Sequence, residues 1–160
     1  MKVLLAIDDC KMSEAAIEEL KTRPWPKETM FRLLNVVEPI HADLAYGDTR
    51  DMTSYIYELI SKREEFVQSK VDVVSKLVNP GNVSSKVIQG PVRDTIVKEA
   101  KDWGADLLVM GSHGRRGLKR FLLGSVAESV LALAPCPVEI VKDPNWAAEE
   151  ATEQEKAAER

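Results

Sequence analysis

An open, doubly wound α/β domain with helices on both faces is the fold this sequence predicts, and three observations carry the prediction. Short apolar runs alternate along the chain with segments of helical period, the pattern that builds a parallel sheet through right-handed crossovers. The runs at 2–7 and 107–110 are nearly continuous in apolar residues, as suits strands covered on both faces. Five such strands can be counted, and the fourth leads straight into a glycine turn, a basic stretch and a helix start.

The first strand is KVLLAI, closed by Asp8 and Asp9. Open α/β sheets bind ligands at the carboxyl ends of strands, which makes these acids candidates. A short amphipathic helix follows from Ser13 through Ala16, Ile17 and Leu20, and it ends near Arg23-Pro24. Trp25, between two prolines, is expected to cover the edge of the core. Met30 to Val37 reads as the second strand, ended by Glu38-Pro39. The connection after it, Pro39 to Arg50, exceeds the usual span of about two to six residues and is a candidate lid. Asp51 to Val78 then reads as one long helix with apolar positions at Ile56, Leu59, Ile60, Val67, Val71 and Val74. Asn79-Pro80-Gly81-Asn82 stops it.

Val83 to Gln89 is a third strand whose partly polar character suits a sheet edge. Pro91 opens the third helix, with Ile96, Val97, Ala100 and Trp103 on one face and Gly104 as its left-handed terminator. Asp106 to Met110 is the fourth strand, Ser125 to Ala134 the fourth helix, and Val138 to Val141 the fifth strand after the extended Pro135-Cys136-Pro137 turn. Beyond Asp143-Pro144 the remaining residues hold five Glu and two basic side chains with no apolar stripe. Residues 1–142 therefore read as one domain, and 143–160 as a charged extension, flexible or partly helical.

The 160 residues suffice for a sizeable core. A net charge of −4 supplies no global pull toward nucleic acid or an anionic membrane. No apolar run approaches the ~18 residues of a transmembrane helix, and MKVLLAI runs directly into two acids, unlike a secretory leader. A cytoplasmic location is expected, with Cys10 and Cys136 as free thiols lacking metal-ligand spacing.

The stretch LLVMGSHGRRGLKRFLLGS carries the chemistry. Glycines allow close backbone approach and positive φ. Successive turn amides and a helix N-terminus then converge on an anion. Gly111, Gly114, Gly124 and Ser125 are the core of this candidate cradle. Ser112 and His113 are expected to add backbone N–H groups, and Ser125 stands at an N-cap or first helical position. Arg115, Arg116, Lys119 and Arg120 could neutralise phosphates, although a solvated basic face accounts for at least half of them. The GxxxxGK[ST] arrangement of hydrolytic nucleotide enzymes is missing from the sequence, as is an evident base to position an attacking water. No catalytic residue and no metal ligand set is assigned. His113 and Cys10 have no visible catalytic partner in sequence, and His41 has no companion ligand.

The spacing Gly111-x2-Gly114-x9-Gly124-Ser125 resembles the nucleotide-binding signature of the universal stress protein family. The segments KVLLAIDDC, RLLNVVEP, VIQGPVRDTIVKEAKDWGADLLVMGSHG and SVAESVLALAPCPVEIVK resemble that family in its usual order. The likeness runs over roughly residues 2 to 142. It implies the strand order 3-2-1-4-5, with a switch point between the first and fourth strands. Asp8 would then face the glycine cradle across one crevice. It also implies that the backbone of Val36 reads the adenine edge, with Val37 beside it, and that Val126 joins the phosphate-binding helix start. The family's nucleotide-binding branch implies ATP, with Mg²⁺ beside its phosphates, held without efficient turnover in a stress-response or regulatory role. A homodimer through the fifth strand is implied as well. Two other classes stay open: a weak ATP-hydrolysing or nucleotidyl-transfer enzyme, and a protein-interaction module that uses the long loop and the acidic tail.

Overall fold

A computed structural model of the chain describes residues 1–39, 49–113 and 123–142. The sequence readings at His41, Gly114, Arg115, Arg116, Lys119, Arg120, most of the 39–50 loop and the 143–160 extension lie outside the described residues. The strands are β1 (Lys2–Ala6), β2 (Met30–Val37), β3 (Val83–Gln89), β4 (Leu107–Gly111) and β5 (Val138–Val141). The helices are α1 (Lys11–Glu19), α2 (Thr49–Val74), α3 (Val92–Trp103) and α4 (Ser125–Leu133). All strand pairs are parallel, and the sheet order is β3-β2-β1-β4-β5.

Alternation along each strand divides the apolar residues into two cores. Val3, Leu5, Phe31, Leu33 and Val109 pack with Ala16, Ile17 and Leu20 near α1 and with Val67, Val71 and Val74 of α2. Leu4, Ala6, Leu34, Leu108 and Met110 pack on the opposite face with Ile96 and Ala100 of α3 and Ala127 and Val130 of α4. Trp25 lies on the rim of the first core, edge-on to Phe31 at 5.1 Å, with its indole N–H donated to Leu20 O.

Among the element boundaries that differ from the sequence reading, four follow directly from local bonding or backbone conformation, while β1 also ends at Ala6 and α3 begins at Val92. α1 begins at Lys11, two residues before Ser13, because Cys10 takes the N-cap position with extended backbone. α2 begins at Thr49 and stops at Val74, where the bonds Lys76 N to Val73 O and Leu77 N to Val74 O tighten the chain into turns before Pro80. β4 begins at Leu107, one residue after Asp106, whose amide donates to Lys2 O at 2.8 Å and whose side chain accepts the Lys2 amide at 2.7 Å. Ala134 has left the helix with ψ 141, which makes it the cap of α4.

Gly104 holds the left-handed conformation at φ 67 and is the only positive-φ glycine among the described residues. Gly111 closes β4 without that conformation. Its need for glycine is steric, contrary to the expected use of positive φ in the cradle.

Candidate functional site

β1 and β4 are neighbours, yet the chain leaves β1 toward β2 on the α1 side and reaches β4 from β3 on the α3 side. The connections therefore diverge between β1 and β4, and a crevice opens at their carboxyl ends. Asp8 follows one strand and Gly111–His113 the other, so the topology brings these predicted residues together.

The β1 wall is tightly bonded. The amide of Asp8 donates to Ser13 Oγ at 2.8 Å, and the Ser13 hydroxyl donates to Asp8 Oδ1 at 2.7 Å. Cys10 N–H donates to the same Oδ1 at 3.2 Å, closing a side-chain turn. Asp8 thus closes the turn that leads into α1 and stands on the crevice lip. Asp9 turns the other way and meets Arg63 of α2 at 2.7 Å. The Cys10 sulfur lies 3.7 Å from Ser13 Oγ and 3.6 Å from the carbonyl of His113, linking the two walls. Burial first, and then the neighbouring Asp8, push the Cys10 thiol pKa above its usual value. The thiol is held neutral and is a poor nucleophile.

The β4 wall corrects part of the cradle reading. Ser112 N–H donates to Val141 O at 2.8 Å, and Gly124 N–H to Ser112 O at 2.9 Å. Neither amide points at a ligand; they fasten the loop to β5 and to itself. The Ser112 hydroxyl is buried, faces Met12 Sδ at 3.8 Å and lies 3.1 Å from His113 Nδ1. Gly124 is the N-cap of α4 and Ser125 its first residue. Among the described residues the amides of Ser125, Val126 and Ala127 have no acceptor outside the helix, as expected of the positive end of a helix. Among the described residues, the amides of the expected cradle that are not closed onto the protein are those of the helix start.

Glycine at position 124 has its own steric reason, since a Cβ there would stand 3.1 Å from Ser112 O and 3.2 Å from His113 Cα. Gly124 lets α4 begin against the loop.

Val36 contributes backbone. Its side chain packs on the second core. Gly90 N donates to Val37 O, whereas Ile7 N donates to Leu34 O. Main-chain groups alternate in direction along a strand, so those of Val36 point to the β1 side. The β1–β2 register ends at Ala6 opposite Leu34. The amide and carbonyl of Val36 consequently overlook the gap beyond the end of β1. Beside them Asn35, buried, donates from Nδ2 to Ile7 O at 2.7 Å and fixes the exit of β1.

Sequence reasoning missed Ser13 and Arg63 as parts of this site. Their partners follow from how α1 and α2 lie on the sheet, which no local pattern in the sequence reveals. No group of three His, Cys, Asp or Glu suited to holding a metal ion occurs among the described residues. A groove of about 680 Å³ between α2 and β3, lined by Glu64, Glu65, Asp72 and Lys86 among others, lies away from the crevice.

These features define a doubly wound α/β domain with an acidic strand tip and a helix N-terminus meeting at its switch point. The sequence profile of the universal stress protein family matches residues 1–142, and the chain belongs to that family. A universal stress protein of Methanocaldococcus jannaschii is 32% identical over 155 residues, covering 90% of this chain and 96% of its own. The solved structure of that protein superposes with a TM-score of 0.69 at 31% identity, with the same coverage. A universal stress protein A homolog of Coxiella burnetii is 30% identical over 146 residues, covering 88% of this chain and 94% of its own. The fold is shared with an AMP-bound family member from Arabidopsis thaliana, at a TM-score of 0.58, 24% identity and 94% coverage of both chains. No described helix is long and apolar enough to cross a membrane.

Proposed function

We propose that this chain binds an adenine nucleotide, ATP in the first place, in the crevice between β1 and β4 without efficient turnover, and that it works as a regulatory stress protein. The observation that carries this reading is the convergence of three unlike groups on one opening. Asp8 offers a carboxylate to a ribose hydroxyl or a hydrated cation. The outward main chain of Val36 offers a donor and an acceptor to the edge of a base. The first-turn amides of α4 at Ser125, Val126 and Ala127 suit phosphate oxygens. Proteins of this fold carry AMP in the Arabidopsis structure and cAMP in another universal stress protein complex, so the fold accommodates nucleotides.

Magnesium fits this set only together with the ligand. A single carboxylate such as Asp8 plus phosphate oxygens and water is a normal environment for Mg²⁺. Asp8 would hold the ion, directly or through water, and the ion would neutralise phosphate charge. The crevice side chains support binding over chemistry: the Ser112 hydroxyl is turned to Met12, and the Cys10 thiol is kept protonated.

Calorimetric titration of the protein with MgATP should give saturable binding with no accompanying release of phosphate. Gly124→Asp should abolish it, because the new carboxylate repels phosphate at the helix start and its Cβ presses on Ser112 O and His113 Cα, which form the β4 wall. Unchanged affinity in the folded variant would reject this site, and sustained phosphate release by the wild type would reject the absence of turnover.

A further inference from the structure

We propose that Ser13 is a positioning residue that fixes which oxygen of Asp8 faces the crevice, an inference that rests on the nucleotide reading above. Ser13 is buried at 4% exposure, although it belongs to the first turn of α1. Its hydroxyl closes a two-way contact with one residue, accepting the Asp8 amide at 2.8 Å and donating to Asp8 Oδ1 at 2.7 Å. The amide of Cys10 adds a second donor to Oδ1 at 3.2 Å.

The consequence is a division of labour within one carboxylate. Oδ1 is held from two sides. Oδ2 has no hydrogen-bond partner among the described residues. With Oδ1 pinned, rotation about the side-chain torsions is blocked, and Oδ2 keeps one direction before any ligand arrives. A ligand hydroxyl or a hydrated cation then meets an acceptor already in place, which removes an ordering cost from binding. The reciprocal bond to the Asp8 amide ties the backbone at the tip of β1 to the same hydroxyl, so loss of that hydroxyl frees side chain and backbone together.

Cys10 caps α1 without a side-chain hydrogen bond, its sulfur lying instead against Ser13 Oγ and the His113 carbonyl. Its amide, rather than its thiol, serves the turn through Asp8.

A double-mutant cycle tests the inference, with MgATP affinity as one readout and the unliganded crystal structure of Ser13→Ala as another. Ser13→Ala should weaken MgATP binding about tenfold, the lower end for loss of an outer-shell partner. It should weaken it no further in an Asp8→Asn background, and Ser13→Thr should restore wild-type affinity. In the Ser13→Ala crystal structure the Asp8 carboxylate should leave its wild-type rotamer or occupy several. Equal losses in both backgrounds would show that Ser13 acts on the fold generally and overturn the proposal. An Asp8 rotamer unchanged in Ser13→Ala would overturn it as well. If the wild type binds no MgATP, the nucleotide reading fails by itself, and the crystal structure still decides whether Ser13 holds Asp8.

Discussion

Gly111 and Met12 are pressed together so closely that a Cβ on Gly111 would lie 2.7 Å from Met12 Cβ and 3.0 Å from the Met12 carbonyl carbon and oxygen. The contact sets how near the first turn of α1 can come to the end of β4, and hence the width of the crevice between them. Two of the three obstructing atoms are backbone, which cannot swing aside as a side-chain tip can. Gly111→Ala should therefore destabilise the protein by about 1–3 kcal/mol, the usual penalty for overpacking, as measured by denaturant unfolding. Nucleotide affinity should fall in the fraction that remains folded, because α1 and Asp8 must shift with Met12. A variant of wild-type stability would show that α1 yields easily here.

Glu99 carries the buried charge of the opposite face. Its side chain is 6% exposed and lies 2.8 Å from Arg32 of β2 and 2.7 Å from Lys86 of β3. Arg32 also stacks over Trp103, with its guanidinium carbon 4.4 Å from the ring centroid. Glu99→Ala leaves two cations facing a partly dry site. Loss of one partner from a buried pair costs several kcal/mol; Lys86 is half-exposed and keeps water, so about 2–4 kcal/mol is expected. For a domain of this size the midpoint should fall by roughly 5–15 °C in a thermal scan. Asp102→Asn, which breaks the exposed i,i+4 pair with Lys98 on the same helix, should leave the midpoint unchanged. Equal effects of the two variants would contradict a special role for Glu99.

This ion network shows where the sequence became illegible. The strands and the glycine at the end of α3 could be read directly, because period, run length and a left-handed terminator are local properties. Glu99 bridges β2 and β3 from a helix that follows both, so its partners depend on strand order. Ser112 and Gly124 illustrate the same limit inside the site. Their loop looked like a set of amides open to a ligand, and two of those amides close onto Val141 and Ser112 once β5 is placed beside β4. Asp8 was better anchored, since a position just past a strand end follows from the strand itself, whereas Val36 rested on the family resemblance alone.

The Cys10 thiol gives a test by pH. Burial and the adjacent Asp8 raise its pKa in the folded protein. A raised pKa means that the native state holds the proton more tightly than the unfolded chain. The associated stability is complete below the unfolded thiol value of about 8.5 and declines as pH rises through the folded value. Cys10→Ser should accordingly flatten the loss of stability on the alkaline side. In a Cys136→Ser background, alkylation of Cys10 by iodoacetamide near neutral pH should be slower than that of free cysteine, accelerating only at higher pH than the free thiol. Rapid alkylation near neutrality would mean a reactive thiolate, contrary to its neighbours.

The fifth strand offers the last test, of the dimer that the family resemblance implies. Leu108 N donates to Pro137 O and Ser112 N to Val141 O. The intervening alternation turns the main-chain groups of Val138 and Ile140 away from β4, toward the open edge. Leu131 and Leu133 of the neighbouring α4 are 51% and 55% exposed. Strand edge and apolar side chains together are what a second copy would cover. Sedimentation velocity should find the wild type dimeric. Ile140→Pro deletes an outward N–H while leaving the β4 pairing intact, and Leu133→Lys charges the apolar rim; each should shift the protein toward monomer without loss of helical signal. A wild type that sediments as a monomer at the highest soluble concentration would remove the dimer. Dimers that survive both substitutions would move the interface to another face.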